Sequence, residues 1–249
     1  MKNTLLIALL FWFVEGQAQI LNVENFRIKT DTVGWAGQLG LNLSLTKNTK
    51  SLTAISSNVH IQYKSLKSLY LIYGNYSLLI SDAENLIDNS VFHFRYNYKI
   101  DKTWRWELFV QGQKNSISKI DFRGLVGTGV RIKLSENEKY KYYVGSTLMF
   151  EHEIQTDRMV YDLWRWSNYF SLSINPNDNF SFVSTTYYQP AFDNFGDYRI
   201  SSQNNFITKI TKSFAFNTGF NLNYDNRPIT GVPKLQYHLV SGIVYNFSK

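Results

Sequence analysis

The sequence predicts an all-β fold: a single antiparallel, up-and-down transmembrane β-barrel of about twelve strands that follows a cleaved signal peptide. Short segments of the chain alternate apolar with polar residues, and a period of two is that of a β-strand. Lysines and arginines lie among the polar residues of these segments, so the charged side chains on that face are either hydrated or paired with opposite charges. A secreted chain with an apolar outside and a polar inside is typical of a barrel in the bacterial outer membrane.

The start of the chain has the pattern of a secretory signal. Lys2 gives a short basic start, residues 5–14 form a nearly unbroken apolar run, and Gly16 and Ala18 are the small residues that a signal peptidase recognises. The run is too short to cross a bilayer as a helix. We therefore predict a signal peptide at 1–18 and one outer-membrane β-barrel domain at 19–249, in the outer membrane of a Gram-negative bacterium.

The predicted strands follow one another with the same alternation. In the first strand Leu39, Leu41 and Leu43 alternate with polar residues, and in the fourth strand Phe92 and Phe94 do the same. About ten residues at ~3.3 Å per residue, tilted by ~40°, cover an apolar band of about 25 Å. The alternation of apolar and polar residues is least regular in the ninth and tenth predicted strands. We place the strands at residues 34–45, 53–63, 68–80, 89–100, 104–116, 121–134, 139–154, 158–174, 179–190, 197–211, 214–225 and 235–247.

The connections alternate between tight turns and longer loops. Even-numbered strands lead into tight turns at 100–103, 175–178 and 211–213, whereas two of the alternate connections, 190–197 and 225–234, are longer. An even number of strands puts both termini on the side of the tight turns. In bacterial barrels that side is the periplasm, so the longer loops are predicted to be extracellular.

Aromatic residues fall at the predicted strand ends, as two membrane interfaces require. The last strand ends close to Phe247 and resembles the C-terminal signal of the outer-membrane assembly machinery, except that Ser248 and Lys249 follow. The predicted periplasmic belt comprises Trp35, Tyr63, Tyr70, Tyr98, Trp104, Trp106, Tyr140, Tyr142, Phe180, Phe214, Phe216, Tyr245 and Phe247. The predicted extracellular belt comprises Phe92, Phe150, Trp164, Trp166, Tyr188 and Tyr224.

The predicted inner faces of the central strands carry both signs of charge. Opposite charges on neighbouring strands favour a structural network of salt bridges and hydrogen bonds that satisfies buried charge, and we expect the charged residues of strands four to eight to form one balanced cluster. The same faces would also suit a narrow pore or a site for a small polar or anionic ligand, because bases outnumber acids. The predicted polar lining comprises His93, Arg95, Asn97, Glu107, Gln111, Arg123, Arg131, Glu151, Glu153 and Arg165. Arg105, Gln113, Asn115, Ser167 and Tyr169 also face inward by alternation.

Gly127 and Gly129 alternate on the inner face of the sixth strand. A phosphate-binding loop is a poor interpretation, because no helix and no lysine–serine pair follow. Glycines at these positions would let the wall bend, or let arginines from neighbouring strands lie across it.

Three segments of the chain resemble the signature segments of domain-of-unknown-function family 481. They are the run His-Phe-Arg-Tyr-Asn at 93–97, Trp-Arg-Trp-Glu-Leu-Phe-Val-Gln at 104–111, and Arg-Gly-Leu-Val-Gly-Thr-Gly-Val-Arg at 123–131. The opening at 34–45 is also similar, and the likeness extends over about residues 22–246. Members of this family are described as salt-induced outer-membrane proteins. The resemblance implies an outer-membrane β-barrel and brings no settled activity, cofactor or catalytic residues.

Composition excludes several other classes of protein. The chain has no cysteine, so it can form neither a disulfide framework nor a thiolate metal site. The formal charge of +7 is spread along the chain, which argues against a nucleic-acid surface. We expect no cofactor, no metal and no catalytic residues. The expected partners are outer-membrane lipids and, during biogenesis, the assembly machinery, and the barrel is expected to be a monomer.

The alternative function is an outer-membrane lipid hydrolase or acyltransferase with its site at the extracellular rim. Its histidine would be His152, which lies on the outer face of the seventh strand by alternation, with Asp157 and Asp162 nearby in the sequence. Such an enzyme needs a nucleophile within hydrogen-bond reach of the histidine. Ser167 on the next strand points inward by alternation, and for this reason we favour a protein without catalytic activity.

Overall fold

The structure, a computed structural model, describes residues 33–82, 84–137, 139–177, 179–211 and 214–245. The predicted signal peptide and Phe247 lie outside the described residues. One antiparallel sheet contains all the strands, and each strand pairs with its neighbours in the sequence, so the all-β up-and-down prediction is confirmed. The strands are β1 (Gly34–Lys47), β2 (Ser51–Lys64), β3 (Ser68–Ser81), β4 (Glu84–Lys99), β5 (Trp104–Asn115), β6 (Ile120–Glu136), β7 (Tyr140–Gln155), β8 (Val160–Asn177), β9 (Phe180–Pro190), β10 (Tyr198–Lys209), β11 (Phe214–Asp225) and β12 (Leu235–Tyr245).

Two predicted boundaries were wrong by several residues. β4 begins at Glu84 instead of residue 89, because its pairing with β3 continues past a shift of register between Leu79 and Ile80. β8 continues to Asn177 through the predicted turn at 175–178, with a shift of register against β9 after Ile174. Bulges of this kind let a strand continue beyond a position where regular pairing stops.

The sheet has two different ends. The end with the connections 65–67, 100–103, 137–139, 178–179 and 210–213 is called the turn end, and it is also the end where β1 begins and β12 finishes. The opposite, loop end has its longest connections at 191–197 and 226–234. These two loops touch, since the Asn226 amide donates to the Gly196 carbonyl at 2.6 Å. The predicted division into tight turns and longer loops is therefore present.

Contacts between distant strands show that the sheet curls into a barrel. The Tyr169 hydroxyl on β8 donates to Glu107 on β5 at 2.7 Å, and Arg199 on β10 donates to Glu153 on β7 at 3.2 Å. At the loop end, the Lys119 ammonium donates to the Thr230 carbonyl at 2.8 Å, which joins the β5–β6 turn to the β11–β12 loop. Among the described residues, β1 and β12 are not paired with each other.

The outer face of the sheet carries aromatic residues in two belts. At the turn end a chain of ring contacts crosses five strands, with centroid distances of 5.0, 6.3, 4.8 and 5.9 Å. At the loop end, Phe150 contacts Trp164 at 5.2 Å and Tyr198 contacts Tyr188 and Tyr224 at 5.7 and 5.8 Å. The ring chain of the turn end consists of Trp35, Tyr63, Tyr70, Tyr96 and Trp106. Such belts are typical of the two interfaces of a membrane protein.

Polar groups on the outer face are hydrogen-bonded to one another. Ser184 donates to Asn204 at 2.7 Å, and Thr186 and Ser202 are 2.8 Å apart. The Trp166 indole likewise donates to Ser146 at 2.8 Å. Mutual hydrogen bonds remove much of the cost of placing polar groups in an apolar environment. In the described part of the chain, no helix is long and apolar enough to span a membrane.

The inner glycines of β6 make room for side chains that lie flat against the wall. A Cβ on Gly127 would come within 2.6 Å of the Phe109 ring, whereas one on Gly129 would meet the backbone of β7, within 2.1 Å of the Ser146 carbonyl oxygen. On β7 the Tyr169 ring occupies the corresponding space over Gly145. Over Gly127 the side chain that crosses is therefore an aromatic ring, whereas the sequence suggested arginines there.

Candidate functional site: the barrel interior

The inner face of the barrel divides into two walls. The charged wall comprises the inner residues of β4–β8, together with Arg199 and Asp225, which reach it from β10 and β11. The amide wall comprises the other inner residues of β1–β3 and β10–β12, which are mainly asparagine, glutamine, serine and small apolar residues. The charged residues described on the amide wall are Lys64 and Lys209, both at the turn end.

A network of buried ion pairs fills the charged wall towards the loop end. Glu151 is at the centre: it accepts from Arg165 at 2.5 Å, lies 2.9 Å from Arg123, and contacts Arg199. Glu151, Arg123 and Arg165 are each only 1% exposed. The loop-end network is completed by Glu153, which pairs with Arg123 and Arg199, by Asp225, which pairs with Arg199 at 2.8 Å, and by Asp197, which pairs with Arg165 at 3.0 Å.

A second group of charges lies closer to the turn end, and we call it the turn-end arginine group. Arg95 and Arg131 lie 3.8 and 3.7 Å from the two oxygens of Glu107. Arg105 faces Arg131 directly across the β5–β6 pair, and both guanidinium groups stack on the ring of Tyr143, at 5.5 and 4.0 Å. Among the described side chains, the group thus combines three guanidinium groups with one carboxylate, whereas the loop-end network has three guanidinium groups and four carboxylates.

Neutral polar residues occupy the wall beside these two groups. His93 Nδ1 lies 2.9 Å from Gln111, whose amide donates to Gln113 at 2.6 Å. The His93 ring also stacks on Phe109, with 5.8 Å between centroids and 15° between planes. Asn97 is the register partner of Glu107 and is buried. These contacts are those of a packed wall, and they leave His93 in a structural position.

Little space remains between the charged side chains. The cavity that they enclose has a volume of about 30 Å³, lined by residues of both charge groups together with Tyr169, Tyr187 and Gln189. At roughly 10–15 Å³ for each water, this is room for about two water molecules. The space between the side chains of the charged wall is therefore too small for a solute larger than water.

The structure places each of the ten predicted lining residues on the inner wall and buries it. It divides the expected single cluster into two groups. Gln111 lies level with Glu151, and Glu107 lies four residues closer to the turn end on the same strand. Glu151 therefore pairs with Arg123 on β6 and Arg165 on β8, away from the arginines beside Glu107. Arg199, Asp197 and Asp225 were missed. Arg199 had a usable signal, since it alternates with Ser201, Gln203 and Asn205 on β10. Nothing in the alternation indicates that it reaches β7.

The outer face holds one pair with catalytic chemistry. His152 Nδ1 lies 2.7 Å from Asp162 Oδ1, and both side chains are exposed near the loop end. Their described neighbours on that face include Phe122, Gly124, Phe150 and Trp164, none of which is a nucleophile. Within the described ranges, no group of three or more histidine, cysteine or acidic side chains is arranged to hold a metal ion.

Comparisons with known proteins identify a family and a similar structure. A family model described as "Protein of unknown function, DUF481" matches residues 28–247. A solved structure titled "NanC porin structure in rhombohedral crystal form" is similar at a TM-score of 0.49 and 8% identity, covering 84% of this chain and 100% of that one. No curated protein matches the chain.

Proposed function

The chain belongs to the DUF481 family, and we propose that it is an outer-membrane β-barrel that gives small polar solutes a narrow passage along its amide wall. The turn end would face the periplasm and the loop end the outside, as short turns and longer loops are arranged in bacterial barrels. The two aromatic belts and the exposed apolar outer face support a membrane location. The charged wall would be the structural part of the interior.

One observation carries this proposal: part of the amide wall is more exposed than the ion pairs, although Gln62, Ser201 and Asn223 on that wall are buried. The charged residues are buried against one another around a cavity of about 30 Å³, whereas Asn58, Gln203, Asn205 and Asn221 on the amide wall are half-buried. Neutral amides can exchange hydrogen bonds with water and with polar solutes without the cost of uncovering a charge. A passage along this wall is the interpretation that leaves the ion pairs intact.

Conductance of the refolded protein in planar bilayers tests the proposal. We expect small, stable conductance steps, and we expect Asn205→Trp to reduce them strongly. Asn205 faces inward opposite Gly219, so an indole placed there would extend across the amide wall. The matched control is Phe206→Trp, one residue further along β10, which places the same side chain on the outer face. Absence of conductance steps, or equal effects of both variants, would refute the passage.

A lipid hydrolase or acyltransferase remains the second candidate, and the His152–Asp162 pair is the observation that favours it. The carboxylate at Nδ1 leaves Nε2 directed away, as in enzymes where aspartate orients a general base. Release of fatty acid from phospholipid or lipopolysaccharide by the purified barrel, lost in His152→Ala, would support this candidate. We expect no release, because the described neighbours of His152 include no nucleophile.

A further inference from the structure

We propose that the turn-end arginine group binds a small anion of the phosphate or carboxylate class, held by Arg105 and Arg131. This proposal deepens the proposed function and rests on it, since it names the charge of the solutes that the passage would favour. It starts from the charges of the group: Arg95 and Arg131 share the carboxylate of Glu107, and Arg105, which faces Arg131, adds a third guanidinium group to this one described carboxylate. The Tyr169 hydroxyl also donates to that carboxylate at 2.7 Å, so part of its acceptor capacity is already used.

Arg105 and Arg131 carry like charges at facing positions. The two residues are register partners on the same face of the β5–β6 pair, and like charges directly opposite one another are destabilising. Arg131 is 1% exposed, so water screens this repulsion poorly. An anion between the two guanidinium groups would turn the repulsion into two attractive contacts.

Both guanidinium groups stack on the ring of Tyr143. With their centres 5.5 and 4.0 Å from the ring centroid, the two guanidinium groups place their faces against the aromatic ring. The N–H donors of a guanidinium point outward in its plane, so a stacked arginine still presents its edge. Carboxylate and phosphate oxygens match that edge in a bidentate contact. Arg105 Nη1 is buried and has no hydrogen-bond acceptor among the described residues, which is the donor such an anion would use.

The surroundings of the group favour an anion as well. Lys99 is the register partner of Arg105 on β4 and is exposed beside it at the turn end, where it would attract anions from solution. On the opposite, amide wall, the described inner residues of β1–β3 and β12 include no carboxylate, and β10 and β11 contribute only Asp225, which is paired with Arg199 at the loop end. An anion that enters from the turn end therefore meets cations on the charged wall, and on the amide wall it meets Lys64, Lys209 and neutral amides.

Binding to the full barrel, refolded in a non-ionic detergent, tests the proposal. Inorganic phosphate and acetate are titrated in separate calorimetric experiments, each against sodium chloride at the same ionic strength. We expect saturable binding, and a rise in the midpoint of heat unfolding with the concentration of the anion that binds. Phosphate binding alone would assign the site to phosphate, acetate binding alone to carboxylates, and binding of both to the shared class. No difference from chloride for either anion would overturn the proposal.

Two variants and a control locate the site. Arg105→Gln should abolish binding, and Arg105→Lys should weaken it about tenfold, because an ammonium cannot make the bidentate contact. The lysine variant keeps the charge and decides the matter if Arg105→Gln does not refold. Arg227→Gln removes an exposed cation at the loop end and should leave binding unchanged. Equal loss in both glutamine variants, or full binding by Arg105→Lys, would overturn the proposal. Binding without conductance would refute the passage alone, and conductance without binding would refute the anion site alone.

Discussion

The charged wall and the amide wall belong to one sheet with one alternation, yet their side chains are in different environments. On the charged wall, long arginine side chains lie against neighbouring strands and bury their partners, as Glu151 and Arg165 do. On the amide wall, short side chains such as Asn58 and Asn221 remain half-buried. Alternation thus decides which face a residue occupies, whereas side-chain length and charge decide whether the interior at that point is filled. The following variants test this difference.

Glu151→Gln has the largest expected effect. It leaves Arg123, Arg165 and Arg199 without their central carboxylate in a buried site, and removing one partner of a buried ion pair costs about 3–5 kcal/mol. The free energy of unfolding, measured by urea titration of the barrel in detergent, should fall by about that amount. The matched variant on the amide wall, Asn221→Ala, should cost roughly 0.5 kcal/mol.

A double variant separates charge from packing in this prediction. Combining Glu151→Gln with Arg199→Gln removes one charge of each sign, so the double variant should be more stable than Glu151→Gln alone. A double variant as unstable as the sum of the two single variants would mean that the network acts through shape and not through charge balance.

The second prediction compares the outer face with the amide wall on one strand. Leu41 is 78% exposed on the outer face of β1, and arginine there should cost on the order of 2–4 kcal/mol in a bilayer. Asn42 points to the amide wall, where its amide donates to Ser56 at 3.3 Å. Asn42→Arg should lower the free energy of unfolding much less, because water in the proposed passage along the amide wall can solvate the guanidinium group. Unfolding in lipid bilayers measures both, and equal costs would show that β1 does not separate lipid from a wet interior.

The smallest expected effect concerns two turns, one that joins two strands of the charged wall and one that joins two strands of the amide wall. Asp101, between β4 and β5, accepts from the backbone N–H groups of Trp104 and Thr103, each at 2.7 Å, and these bonds lower the pKa of its carboxyl below 3.8. The contribution of the Asp101 carboxylate to the stability of the folded turn is therefore complete above about pH 4 and is lost as the pH falls through the lowered pKa. On the amide-wall side, the Thr211 hydroxyl accepts from the Phe214 N–H at 3.0 Å and does not titrate in this range.

Hydrogen exchange distinguishes these two turns. The protection factor of the Trp104 amide, corrected for the intrinsic exchange rate, should stay constant down to about pH 4 and fall as the pH is lowered further, and that of Phe214 should not fall. Asp101→Asn should remove the pH dependence at Trp104. Parallel changes at both amides would show that the whole barrel loosens with acid and that Asp101 has no local role.

The strand order and the facing of the central residues could be predicted because they depend on local alternation. His93, Arg95 and Asn97 occupy the inner face because their neighbours Phe94 and Tyr96 occupy the outer one. The interior contacts depend on curvature and on side-chain reach, which alternation does not contain. Arg199 contacts Glu151 across the interior at a separation of 48 residues, and no pattern in β10 specifies that distance. The aromatic rings over Gly127 and Gly145 depend on rotamers in the same way.

The order in which the ion pairs occur along the chain bears on folding. Every described strand pairing joins consecutive strands, so the contacts between paired strands are close in sequence, and the sheet can grow by adding one hairpin at a time with low loop-closure entropy at each step. Addition of β7 lets Arg123 pair with Glu153, and addition of β8 lets Arg165 pair with Glu151. Arg199 already pairs with Asp225 within the β10–β11 hairpin. A barrel assembled in this order would bring each charged residue of the loop-end network into the interior beside a partner of opposite charge.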